Sequence, residues 1–90
     1  MDNEKGIFLT KSLNEKLESD EDFAIQVLEA LSRFMKRDWG IIPDSDKEIN
    51  SKQLETGDSV MGKYPTKYGN IYIIMEKGHE ITTILFTHEY

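Results

Sequence analysis

Two histidines of the chain are each followed by a glutamate, His79-Glu80 and His88-Glu89, and these pairs are the first place to look for metal or acid-base chemistry. Together with Glu76 they would have to converge near the ends of neighbouring strands. Their spacing directs no such site: the chain contains no HExxH, and a histidine in a turn or near a terminus is ordinarily solvated. The serines at 12, 19, 32, 45, 51 and 59 include no nucleophile elbow, and neither a GxGxxG nor a phosphate-binding lysine motif occurs. Carboxylates are plentiful without forming a directed pair, and 90 residues leave little room to enclose a substrate. These residues predict no enzyme, no metal site and no cofactor.

Seventeen acidic against eleven basic residues give a net charge of -6, which repels phosphate backbones and anionic lipid. Arg33, Lys36 and Arg37 cluster, but at a helix end, where cations complement the dipole. Direct nucleic-acid binding is therefore not expected. The acidic residues fall into two groups, Glu15, Glu18, Asp20, Glu21 and Asp22, then Asp44, Asp46 and Glu48, which would form one acidic patch if they shared an edge. Such a patch can occupy a nucleic-acid channel of another protein; solubility is the simpler role.

A chain of this length buries only roughly 60–65% of its unfolded surface, enough for one core, so residues 1–90 read as a single domain. An apolar fraction of 38% with 31% charged residues suits a globular domain. The chain has no cysteine, and a fold without disulfides suits a reducing compartment. MDNEKGIFLT lacks the features of a signal or transit peptide, and no apolar run approaches the ~20 residues of a membrane span, so the cytoplasm is the expected location.

The expected class is α+β, with N-terminal helices packed on a C-terminal three-stranded antiparallel meander. Ile7-Phe8-Leu9 form a short strand or tucked-in arm, and Thr10 caps a short helix through Leu13 and Leu17. The strongest helix spans about 20–37. Its apolar stripe runs through Phe23, Ala24, Val27, Leu28, Leu31, Phe34 and Met35, with Ser19 as N-cap and Gly40 as the left-handed stop before Pro43. Asp44 or Ser45 caps a polar surface helix that Gly57 ends. Strands follow from Val60 to Tyr64, across a turn at Pro65 to Asn70, and then as IYIIMEK and EITTILFT.

A two-residue type II′ turn at Gly78-His79 sets Glu76 opposite Ile81. One hairpin face then pairs Met75 with Thr82, Ile73 with Ile84 and Ile71 with Phe86. The other pairs Ile74 with Thr83 and Tyr72 with Leu85. Both faces are apolar, so the second needs a cover from this chain or another protein, which makes Tyr72, Ile74, Ile81 and Leu85 candidate partner-binding residues. Asp38-Trp39-Gly40 has two readings, a core lid that serves the helix stop or a contact hot spot, and on the second Asp38 and Trp39 join that set.

Asp38-Trp39-Gly40, the acidic stretch Asp44 to Asn50, Ile71 to Glu76, Thr82 to Leu85 and the final Glu89-Tyr90 together resemble a group of small phage and plasmid proteins. Members are called plasmid-related proteins or type I restriction endonuclease subunit M, and the resemblance spans the chain from about residue 7. The second label cannot describe an activity, since a methyltransferase needs a far larger cofactor domain. Two departures stand out: Arg37 precedes Asp38 where a glycine is common, and Lys77-Gly78-His79-Glu80 replaces a turn with an Asp-Arg pair. The resemblance implies a mobile-element accessory protein. With the apolar second face, the expectation is a protein that binds another protein, an inhibitor of a host defence nuclease of the anti-CRISPR or anti-restriction kind. The alternatives are a small metal-dependent enzyme or nuclease using His79 and Glu76, and a homodimeric structural or regulatory domain burying Tyr72, Ile74 and Leu85.

Overall fold

A computed structural model describes residues 6–90; residues 1–5, part of the N-terminal stretch read above as carrying no targeting signal, lie outside the described residues. The chain runs β1 (Gly6–Leu9), α1 (Lys11–Ser19), α2 (Glu21–Met35), α3 (Asp44–Thr56), β2 (Val60–Thr66), β3 (Gly69–Met75), β4 (Ile81–Phe86) and a 3₁₀ turn (Thr87–Glu89). No described helix is long and apolar enough to cross a membrane.

The class is α+β, but the sheet has four strands in the order β1-β4-β3-β2 and is mixed, not a three-stranded meander. Antiparallel pairing joins β2, β3 and β4, while β1 lies parallel to β4 with Phe8 opposite Thr83. The β3–β4 register is the expected one, pairing Ile71 with Phe86, Tyr72 with Leu85 and Ile73 with Ile84. Its turn differs. Glu76 accepts from the His79 N–H at 2.8 Å, and both Gly78 (φ 92) and His79 (φ 60) are left-handed, so Lys77–Glu80 form a longer loop than a II′ turn. The register survives because the Glu76 N–H still donates to the Ile81 carbonyl, at 2.8 Å.

On one face of the sheet, Val60, Tyr64, Ile71, Ile73, Ile84 and Phe86 meet Leu13 of α1 and Phe23, Val27, Ala30 and Phe34 of α2. Phe23 stacks on Phe86 with centroids 5.8 Å apart. The buried stripe of α2 is narrower than its sequence suggests: Leu28 and Met35 are 65% and 72% exposed, because one helix face already fills the space over the sheet.

Helix ends correct three expectations. Asp20, not Ser19, caps α2, its carboxylate accepting from the Phe23 N–H at 3.1 Å. Pro43, extended at φ -61 and ψ 152, precedes α3, which makes Asp44 its first helical residue instead of its cap. At the end of α2 the Asp38 and Arg37 N–H groups donate to Arg33 and Phe34 carbonyls at 2.9 and 3.0 Å, the paired bonds of a left-handed helix stop. The left-handed residue there is Arg37 (φ 66), so Gly40 is not the stop. Gly40 (φ 83) is needed for another reason: a Cβ would overlap the Lys63 carbonyl oxygen.

These two positions predict opposite effects. Arg37→Gly relieves a left-handed cost of about 1–2 kcal/mol and gives back about half through unfolded-chain entropy, so it stabilises by roughly 0.5–1 kcal/mol. Gly40→Ala adds left-handed strain and a backbone clash and destabilises by more than about 2 kcal/mol. Urea unfolding midpoints of the two variants at neutral pH check both signs.

Candidate functional site

Asp38, Trp39 and Gly40 are drawn into the structure of the β2 edge. Trp39 is 5% exposed and meets Phe34 edge-on at 5.3 Å, so it stands in the core as a lid and offers no surface to a partner in this conformation. Asp38 is exposed but engaged, accepting from Arg33 Nε at 2.8 Å, Arg33 Nη2 at 3.3 Å and the Gly40 N–H at 3.1 Å. The Arg33 guanidinium and the Gly40 N–H hold the Asp38 carboxyl below the usual range. The Asp38 carbonyl accepts from the Tyr64 hydroxyl at 2.7 Å, and burial pushes the pKa of that hydroxyl up.

Beside this contact, at Trp39 and Lys63, the edge of β2 is closed. The Lys63 N–H donates to the Trp39 carbonyl at 3.0 Å, and the Lys63 carbonyl accepts from the Ile41 N–H at 2.9 Å. Two residues back, the buried Asn50 side chain serves Met61 from both ends, donating to its carbonyl at 2.8 Å and accepting from its N–H at 3.3 Å. The next outward position is Pro65, which has no N–H to satisfy. Asn50 stands out in the sequence only as the end of the acidic stretch; its role does not, because a side-chain amide acting as a strand leaves no periodic trace.

The second face of the sheet carries Met61, Lys63, Tyr72, Ile74, Ile81, Thr83, Leu85 and Phe8. The structure separates the four sequence-predicted residues. Leu85 is 9% exposed, and Tyr72 and Ile74 are half-buried. Tyr90 returns across the face and meets Tyr72 edge-on at 5.3 Å, so the chain supplies part of the cover itself. Ile81 is 41% exposed, and beside it on the same face lies Phe8, 55% exposed. Sequence reasoning did not include Phe8, whose place depends on a parallel pairing to a strand more than seventy residues away. Gly6 and Thr10 donate to Glu80 and Ile84 carbonyls at 2.9 and 3.3 Å, and the alternation of the ladder turns the peptide groups of Ile7 and Leu9 outward. Among the described residues no strand lies beyond them.

The acidic groups sit on separate elements, the first along α1 and into the first turn of α2, the second in the first five residues of α3. Asp20 is not a free charge. It binds Lys67 Nζ at 2.9 Å and the Tyr68 hydroxyl, and these contacts, with the Phe23 N–H, drive its pKa far down. Lys67 and Tyr68 form the β2–β3 turn, which is thereby fastened to the start of α2; Gln26 Oε1 also accepts from the Lys67 N–H at 2.9 Å. His79 contacts the Asp58 carbonyl through Nε2 at 2.7 Å, beside the Gly78 N–H bond to Gly57 at 2.8 Å. Among the described residues no three His, Cys, Asp or Glu side chains group as metal ligands.

Glu89 acts as a clamp. Its carboxylate accepts from Ser12 Oγ at 2.7 Å, Thr10 Oγ1 at 2.8 Å and the Phe86 N–H at 2.9 Å, joining the start of α1 to the end of β4. Thr10 therefore stands at the N-cap of α1 while its hydroxyl is turned to Glu89. No family model matches this chain, and neither a curated protein nor a solved structure is significantly similar to it.

The hydrogen bond from Ser12, with those of Phe86 and Thr10, holds the Glu89 carboxyl below its ordinary value. A carboxyl depressed in the folded state contributes stability that is present above its unfolded value, about 4.3, and lost as pH falls through the folded one. Glu89→Gln removes this dependence. Denaturation midpoints of the wild type should therefore fall more steeply below about pH 4.5 than those of the variant; parallel curves would show that Glu89 does not clamp.

Proposed function

We propose that the protein acts by binding another protein, as a mobile-element accessory that inhibits a host defence nuclease of the CRISPR or restriction type in the cytoplasm. The observation that carries the binding is the exposed pair Phe8 and Ile81, 55% and 41% accessible, on the sheet face next to the outward peptide groups of β1. An apolar strip beside a strand edge that is unpaired among the described residues is where an extended segment of another chain adds both backbone hydrogen bonds and side-chain contacts. The net charge of -6 favours a basic partner, as nucleic-acid enzymes are. The mobile-element setting and the nuclease target rest on the resemblance of the DWG and C-terminal motifs.

A self-dimer is the second reading, favoured by the same open edge, where Ile7 is also 54% exposed. The two separate by experiment. Wild-type protein should retain a defence nuclease from host lysate and inhibit its cleavage in a purified assay. Phe8→Glu with Ile81→Lys should weaken retention at least about tenfold with an unchanged circular dichroism spectrum. A nuclease neither retained nor impaired contradicts the inhibitor reading, and a micromolar dimer that the same double variant dissociates favours the second.

A further inference from the structure

At the other side of the same sheet face, between α3 and β2, lies a groove of about 280 Å³. Ile42, Ile49, Met61 and Ile74 supply aliphatic wall, Tyr90 adds an aromatic ring, and Asp46 is the one charged side chain in the lining. This volume falls below the roughly 300–1,000 Å³ of small-molecule pockets and suits a single inserted side chain.

We propose that the groove receives an arginine side chain of a partner protein. Its parts match the parts of arginine. The aliphatic wall covers the methylene stem, the Asp46 carboxylate pairs with the guanidinium, and the exposed Tyr90 ring in the lining is an aromatic partner for the planar cation. Charge argues the same way. Asp44 has Lys47 at 4.0 Å, whereas Asp46 forms no ion pair among the described residues. The amide of Asn50, also in the lining, is already bonded to Met61. An acidic side chain would meet Asp46 and the net charge of -6, and a purely aliphatic one would gain nothing from the carboxylate. Lysine offers a more strongly hydrated point charge with no plane to stack. The inference does not rest on the identity of the target, because it concerns the chemistry of one contact.

Methyl-resolved NMR titration of the intact protein with two short peptides tests it, one acetyl-Gly-Arg-Gly-amide and the other its norleucine analogue. The arginine peptide should give saturable shifts at Ile42, Ile49, Met61 and Ile74 in the millimolar range, with the norleucine peptide at least about threefold weaker. Asp46→Asn should reduce arginine binding about threefold or more, with methyls remote from the groove unshifted to show an intact fold. Equal binding of the two peptides would mean an apolar subsite and overturn the proposal. So would an arginine peptide that fails to saturate by about 50 mM, or an Asp46→Asn variant that binds it unchanged.

Discussion

A β-sheet edge exposes N–H and C=O groups that must find partners, and the two edges of this sheet meet that requirement in opposite ways. Along β2, Asn50 takes both polar groups of Met61, the Trp39 and Ile41 backbone takes both groups of Lys63, and Pro65 has no donor to satisfy. This closure explains several local features at once. Gly40 is required because the chain passes against the Lys63 carbonyl, and Trp39 is buried because its backbone is held at the edge while its ring turns onto Phe34. Asn50 is a buried polar side chain in an otherwise polar helix for the same reason. Along β1, Ile7 and Leu9 turn the same groups outward, and Phe8 stands exposed beside them.

The parallel β1–β4 pairing brings the start of α1 next to the end of β4, and Glu89 closes that junction through Thr10, Ser12 and the Phe86 N–H. Asp20 does the corresponding work at the α1–α2 junction, where it caps α2 and holds the Lys67-Tyr68 turn. Both are carboxylates whose charge is engaged within the fold. Acidity counted from composition therefore overstates the charge offered to a partner, since the carboxylates of Asp20, Asp38 and Glu89 are already bonded. Carboxylates still exposed include those of α1, of the first turn of α2 and of the first turn of α3, where Asp46 lines the groove.

The β3–β4 register was legible from sequence because alternating apolar strands flank a short loop, and a change in turn type left the Glu76–Ile81 closure intact. Gly57 was legible as a helix stop for a similarly local reason. Ile7-Phe8-Leu9 was legible as a strand or arm, and it is a strand, but its place in the sheet was not, because it carries no signal of its parallel neighbour across the length of the chain. Gly40 misled for the opposite reason: a glycine near a helix end invites a capping role, but Arg37 bears the left-handed turn and Gly40 serves a tertiary approach. Among the candidate contact residues, Ile81 stays accessible while Trp39 and Leu85 are buried by partners that local periodicity does not reveal.

This asymmetry of edges decides where another chain can add to the sheet. Site-resolved amide hydrogen exchange, on a sample shown to be monomeric by sedimentation, tests it most directly. The N–H groups of Met61 and Lys63 are predicted to be protected comparably to that of Ile73 in the sheet interior, while those of Ile7 and Leu9 exchange far faster. Rapid exchange at Met61 and Lys63, or protection of Ile7 and Leu9 equal to that of Ile73, would contradict it.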